Sequence, residues 1–243
     1  MADHLLSKGK YRARVAAGRA DVGAAQALRY LAFRDPEGEG RDVDRFDGTF
    51  RHLLVEGPDG VVCTFRYQLF PSSTEARSGY SAGVYDLSPL ATVKGPMVEM
   101  GRFCLHPTAH DPDILRLAWA AMTRLVDDAQ ATLLFGCSSF RGIDAAPYQD
   151  ALRMLAAEHV APAEVRPKAK ARERMPLPKG PYDAQAAQRQ MPPLLRTYLL
   201  MSGWVSDHVV VDRVMNTLHV FTGVEIGRVP EARARALRAL AQG

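Results

Sequence analysis

"MVEMGRFCLHP" (residues 97–107) is followed by "DPDILRLAWAAMTRLVDDAQ" (111–130) and "TLLFGCSS" (132–139). In turn these read as a strand, an amphipathic helix and a buried strand. Pro112 stands near the first turn of the helix, where the missing N–H would have no partner anyway. The alternation continues outward in both directions. "YRARVA" (11–16) has a strand's period. "ADVGAAQALRYLAF" (20–33) sets Val22, Ala25, Leu28, Leu31 and Ala32 at helical spacing, with Asp21 expected as its cap. "DPEGEGRDVDRFDG" (35–48) is a polar loop, and "RHLLVEGPDGVVCTFRYQLF" (51–70) a hairpin about its Gly-Pro-Asp-Gly turn. On the far side, "DAAPYQDALRMLAAEHV" (144–160) is a helix and "MPPLLRTYLLMSGWV" (191–205) an apolar helix. "HVVVDRV" (208–214) and "LHVFTGVEI" (218–226) are strands. A basic, Pro-rich surface excursion is expected at about 163–192 and a basic helix at about 230–242. Strands alternating with helices, after an early hairpin, give an α/β fold with a mixed sheet, in a single domain over 1–243.

The chain has 243 residues, 47% hydrophobic and 24% charged, with a formal net charge of +4. That is long enough for a substantial core. The small basic excess suits an acidic partner or an anionic membrane surface without specifying either. No apolar run is long enough to span a bilayer, and no signal-peptide core follows the first charges, so a cytoplasmic protein is expected. Cys63, Cys104 and Cys137 lie in three separate strand-like runs, which argues for buried thiols rather than disulfides or zinc. His106 and His110 are four apart, but Pro107 breaks the helix a metal pair would need. No Walker loop or dinucleotide fingerprint is present, and Ser138 in "GCSSF" lacks the second glycine of a nucleophile elbow. The basic stretches lack the aromatic content of a nucleic-acid binder. No metal and no nucleic-acid partner is expected.

The informative residues are charges in apolar runs. Glu99 and Arg102 interrupt 97–107, and Arg66 interrupts "CTFRYQL". In a regular pleat Glu99 and Arg102 would point to opposite faces. Gly101 between them reads as a bulge that would turn both to one cleft and leave main-chain N–H groups there. A salt bridge at a sheet edge would account for the same charges. Arg29, Asp44 and Asp47 add to the set, and several buried ions together argue for a shared polar cleft.

The pattern Arg29-x-x-x-Phe33, Asp44-x-x-Asp47, Arg66 and Glu99-x-Gly101-Arg102 resembles two related families. These are the N-acyl homoserine lactone synthases and the ornithine-lipid N-acyltransferases, which use a 3-hydroxyacyl carrier protein. "GRFCLHP", "LLFGCSSFRGID" and "PPLLRTYLLMSGWV…DRVMNT" resemble the second. The likeness runs over roughly residues 11–222. The chain departs from the second family's pattern in a shorter 34–48 loop and in having His219 where an acid is expected, and it lacks the tryptophan that the homoserine lactone synthases have soon after Phe33, which counts against that family.

The resemblance implies a GNAT-like acyltransferase fold, with helices flanking a mixed central sheet. It implies transfer of a 3-hydroxy fatty acyl group from acyl carrier protein to the α-amine of L-ornithine, giving lyso-ornithine lipid. Glutamine or another amino acid could stand in as acceptor. Synthesis of an acyl homoserine lactone, coenzyme-A-dependent acetylation and a non-enzymatic carrier- or membrane-binding module are rival functions for the same fold. No cofactor is implied beyond the acyl donor. "HPTAHDPDILRL" (106–117) has no glycine and carries Asp111 and Asp113 where coenzyme-A users of this fold place a phosphate-cradling loop. Arg166, Lys168, Lys170, Arg172 and Arg174 suit an acidic carrier protein, or form a solvated loop.

In the implied site Glu99 is the base, directly or through water, and the main chain about Gly101 donates to the oxyanion. Arg102 and Arg66 order the cleft or take a substrate carboxylate. Asp44 and Asp47 hold the cationic amino acid, and Arg29 ties down their loop. Glu99 and Arg102 form the catalytic pair, Phe33 lines the acyl channel, and Phe103 and Gly101 belong with Arg29, Phe33, Asp44, Asp47 and Arg66 to the substrate-binding set. A lipid product and the basic C-terminal helix point to peripheral contact with an anionic membrane face.

Overall fold

The computed structural model describes residues 4–242. Strands β1 (His4–Lys8) and β2 (Tyr11–Val15) turn at Gly9, whose φ of +55° is a conformation glycine adopts without steric penalty. Helix α1 (Arg19–Phe33) precedes the expected hairpin of β3 (Arg51–Gly57) and β4 (Gly60–Phe70). The short α2 (Ser73–Ala76) and β5 (Tyr85–Asp86) lead to β6 (Met97–Leu105), α3 (Pro112–Asp128) and β7 (Leu133–Arg141). Next come α4 (Gln149–Met154), continued by a π-helical turn to His159, β8 (Lys168–Ala169), β9 (Arg174–Pro176) and α5 (Ala184–Gln190). The chain closes with α6 (Pro193–Leu199), β10 (Trp204–Val205), β11 (His208–Asp212), β12 (Thr217–Glu225) and α7 (Glu231–Gln242).

The chain forms two compact units. The first is made by the chain to Gln68, Met100–Gln130 and the chain from Glu231. In it β1, β2, β3 and β4 pair antiparallel in that order, with α1, α3 and α7. Strand β1 lies outside the expected elements. Only Leu6 of it is buried, so it lacks the alternation that marks β2. Helix α1 is capped differently from expectation. Its N-cap is Gly18, and Asp21 instead accepts a hydrogen bond from the Ala17 N–H while pairing with both terminal nitrogens of Arg14. Those Arg14 bonds, with the Ala17 N–H, hold the Asp21 carboxyl down at about 2. At α3 the expectation holds. Pro112 is in the first turn, and the Asp111 carboxylate accepts from the Asp113 N–H.

The second unit comprises Leu69–Glu99 and Ala131–Pro230. Met97, Val98 and Glu99 of β6 pair parallel with Leu133, Leu134 and Phe135 of β7. Strand β7 then pairs antiparallel with β12, β12 with β11, and β11 with β9. This sheet is mixed, as expected. Phe70, Phe135, Phe221 and Trp204 stack in an aromatic core of this unit, and Tyr85 meets Phe221 edge-on. The stretch 163–192 lies mostly at the surface and is pinned at a few points. Strand β9 joins the sheet, and Leu177, Ala187 and Met191 bury themselves in a second cluster against α4 and α6. The apolar helix expected across 191–205 is shorter. Helix α6 stops at Leu199, before the chain turns at Gly203 and enters β10.

Candidate active site

The buried charges form two groups, one in each unit. In the first unit Arg29, on the inner face of α1, reaches the 35–48 loop. Its guanidinium donates to Asp42 at 2.8 and 3.0 Å and to Asp47 at 2.7 Å. Asp47 also accepts from Gln26 at 3.0 Å and from Arg66 at 2.7 Å. Arg66, from β4, forks onto Asp44 at 2.5 and 2.8 Å. Arg102, from β6, bridges Asp42 at 3.0 Å and Asp44 at 3.1 Å, and Arg34 adds a contact to Asp42 at 3.0 Å.

Burial alone would raise the three carboxyls, but the arginines more than offset it, and all three sit below the usual range. Burial lowers His52, whose Nε2 lies 3.2 Å from the Asp47 carbonyl oxygen. The Arg66 guanidinium also lies over the Phe46 and Phe50 rings.

This network joins Arg29, Asp44, Asp47, Arg66 and Arg102 as a set, and it ties the loop to α1 through Arg29. Asp47, its side chain 6% exposed, accepts from Gln26, Arg29, Arg66 and the Asp44 N–H and is enclosed in the network. Asp44, 23% exposed, is the carboxylate open to solvent. Asp42 was missed, although it is the hub that receives Arg29, Arg34 and Arg102.

The irregularity expected at Gly101 falls one residue later. Arg102 has φ +55°, whereas Gly101 is not left-handed and a Cβ there would meet nothing within 4 Å. A left-handed arginine within a strand is strained, and its salt bridges to Asp42 and Asp44 help to hold it. Phe103 stacks on Phe65 at 5.6 Å and lies 6.3 Å from Trp119. Phe33 is the half-buried last residue of α1.

In the second unit Glu99 is 1% exposed. Its Oε2 accepts the Tyr80 N–H at 3.0 Å and its Oε1 the Ser81 N–H at 2.6 Å. Ser81 in turn places its Oγ 3.5 Å from Cys137 Sγ. Cys137 is partly exposed, unlike buried Cys63 and Cys104. Ser138 is structural, accepting the Thr222 hydroxyl at 2.9 Å. His219 is built into the core, with Nδ1 3.1 Å from the Tyr85 hydroxyl. A cavity of about 550 Å³ in this unit is lined by Lys94, Glu164, Glu225 and Arg228 among others, and holds none of the expected site residues.

Among the described residues no cluster of His, Cys, Asp and Glu is arranged to hold a metal ion, and no helix is long and apolar enough to cross a membrane.

Residues 28–120 match the acetyltransferase (GNAT) domain family. An L-ornithine N(alpha)-acyltransferase of Rhodobacter capsulatus is 33% identical over 227 residues, 86% of this chain and 88% of that protein. One of Brucella abortus is 30% identical over 244 residues, covering 91% of this chain and 86% of that protein. Among solved structures, FeeM, an N-acyl amino acid synthase from uncultured soil microbes, has a TM-score of 0.52 at 10% identity. That match covers 96% of this chain and 97% of that one, and is a likeness of fold alone.

Proposed function

The chain belongs to the L-ornithine N(alpha)-acyltransferases and has the GNAT fold, and from that membership we propose that it joins a fatty acyl group to the α-amine of L-ornithine. The observation that carries this reading is the 33% identity to the Rhodobacter capsulatus protein over 86% of one chain and 88% of the other. The donor is a 3-hydroxyacyl thioester of acyl carrier protein. The amine attacks the thioester carbonyl, the carbon–sulfur bond breaks, and amide and carrier thiol result without any further cofactor.

Glu99 takes the proton that the amine loses, directly or through one water. The Tyr80 and Ser81 N–H groups, at 3.0 and 2.6 Å, fix the direction of its two oxygens for this task. The Asp44 carboxylate contacts the acceptor's side-chain ammonium and the Arg102 guanidinium its carboxylate, as the solvent-reaching edge of an otherwise buried network.

The donor assignment is supported at the start of α3. The Asp111 carboxylate occupies the Asp113 N–H there and takes the Tyr11 hydroxyl at 3.0 Å. A helix N-terminus already satisfied by a carboxylate disfavours a pyrophosphate. The exposed Lys168, Arg172 and Arg174 offer positive charge for an acidic carrier. Lys170, also exposed, has its ammonium bonded to the Ala82 carbonyl oxygen, and half-buried Arg166 is held by Ala161 and Asp207.

Peripheral membrane contact through α7 has less to work with. Its Arg238 is paired with Asp127 and its Arg235 with Glu231, which leaves Arg233 as the basic residue outside these pairs. Vesicle co-sedimentation of the full chain and of a truncation after Pro230 tests it. Equal binding by both would rule α7 out.

The function is tested by incubating the purified chain with 3-hydroxyacyl carrier protein and ornithine or glutamine, and weighing the product. N-acylornithine is expected. Product with glutamine alone, or equal use of acyl-coenzyme A, would contradict the acceptor or the donor respectively. Asp44→Asn should raise the ornithine KM and leave that of the donor alone, and an unchanged ornithine KM would remove Asp44 from the acceptor site.

A further inference from the structure

The turn that receives Glu99 contains a residue with no visible backbone reason to be glycine. Gly79 does not have a left-handed φ, yet a Cβ built on it would lie 2.1 Å from Glu99 Oε2. The same Cβ would meet the Ala76 carbonyl oxygen and the Phe70 ring at 3.1 Å, so the turn could not easily retreat. Gly79 itself donates to the Ala76 carbonyl oxygen at 3.1 Å, closing the turn after α2. The next two residues present their N–H groups to the two carboxylate oxygens, at the start of the 3-10 turn Ser81–Gly83, where main-chain donors have no partner within the helix. Ser81 is fully buried, and its hydroxyl lies 3.5 Å from Cys137 Sγ on β7. Glu99 pairs with Phe135 on that same strand, so the cradle and the acid are fixed to one piece of sheet.

We propose that Gly79 is a positioning residue for the acyl transfer. Its missing side chain admits the Glu99 carboxylate to the turn, and the Tyr80 and Ser81 N–H groups then fix the direction of both oxygens. The proposal rests on the role of Glu99 given above. A methyl group at position 79 pushes the carboxylate away from both donors, and a displacement of about 1 Å in such a group can lower turnover on the order of 10²-fold. A glycine that served only to close the turn would reveal itself in stability and leave kcat per folded molecule intact.

The test is a double-mutant cycle on the full chain, by steady-state kinetics of N-acylornithine formation. Gly79→Ala should lose about 10²-fold in kcat, with both KM values changed less than about twofold. In a Glu99→Gln background the same substitution should cost nothing further, since two residues acting through one group are not additive. Hydrogen exchange supplies a second measurement that does not require Gly79→Ala to fold. In Glu99→Gln the Tyr80 and Ser81 amides should exchange faster than in the parent.

A Gly79→Ala variant with parental kcat would overturn the proposal. So would an equal loss in both backgrounds, or unchanged exchange at the two amides. A fully active Glu99→Gln would overturn the base assignment and this proposal with it, while a parent chain that makes no N-acylornithine would overturn the function itself.

Discussion

The two groups of buried charge are held by different means. In the first unit, four arginines and three aspartates neutralise one another side chain to side chain, and Arg29, Asp42 and Asp47 have almost no solvent exposure. In the second unit, the two oxygens of Glu99 are received by main-chain N–H groups of a turn. A cross-paired network holds its members against one another, so removing one leaves a charge buried without its partner. A carboxylate received by main-chain N–H groups has the direction of both its oxygens set by the turn. The first arrangement is suited to framing a loop, and the second to handling a proton.

Substitutions can break this contrast, and the largest effect is expected at Glu99. Glu99→Gln should lower turnover about 10²–10⁴-fold, the usual span for a lost general base, as read by initial rates at neutral pH. Near-parental rates would make Glu99 an anchor for the 79–81 turn and nothing more.

Next in size is Asp47→Asn. Breaking one buried ion pair by removing a partner costs about 3–5 kcal/mol, which denaturant unfolding would detect. A loss well below about 1 kcal/mol would mean the pair behaves like a surface one.

Acid sharpens the same point. Asp42, Asp44 and Asp47 have folded-state carboxyls held below their ordinary range. Their contribution is therefore present above the unfolded value near 3.9 and lost as pH falls through the lower folded values. The parent should lose stability steeply below about pH 4, and Asp47→Asn less steeply. Parallel curves would show that Asp47 does not titrate with the network.

The smallest effect is expected at the protein surface. Reversing Lys168 and Lys170 to Glu should slow the carrier-protein reaction chiefly through association, by a factor that shrinks as salt rises. A loss independent of salt would point to the bond between Lys170 and the Ala82 carbonyl oxygen instead.

What the sequence disclosed follows the same division. Arg66 and Arg102 were legible because a charge in an apolar run is costly and must be paired, and Arg29, Asp44 and Asp47 through the spacing that carries the family resemblance. Asp42 was not, since in a loop with several acids nothing local marks the one that will be the hub. Glu99 was legible as a residue, but its donors were not, because any residue except proline carries an N–H and only the fold aims it. Gly79 reads as an ordinary turn glycine between Ser78 and Tyr80, and its meaning is a close approach that no spacing encodes. Among the elements, strands and helices with a clear period were found. Strand β1, with a single buried residue, was not, and the Pro-rich 163–192 stretch hid β9 and α5 behind a composition typical of loops.

The most direct test of the contrast is kcat per folded molecule, measured on Glu99→Gln and Asp47→Asn at a temperature where both variants are mostly folded. The account predicts a loss of about 10²–10⁴-fold for Glu99→Gln, and parental turnover for the Asp47→Asn molecules that remain folded. Equal losses in the two variants, or a loss confined to Asp47→Asn, would contradict it.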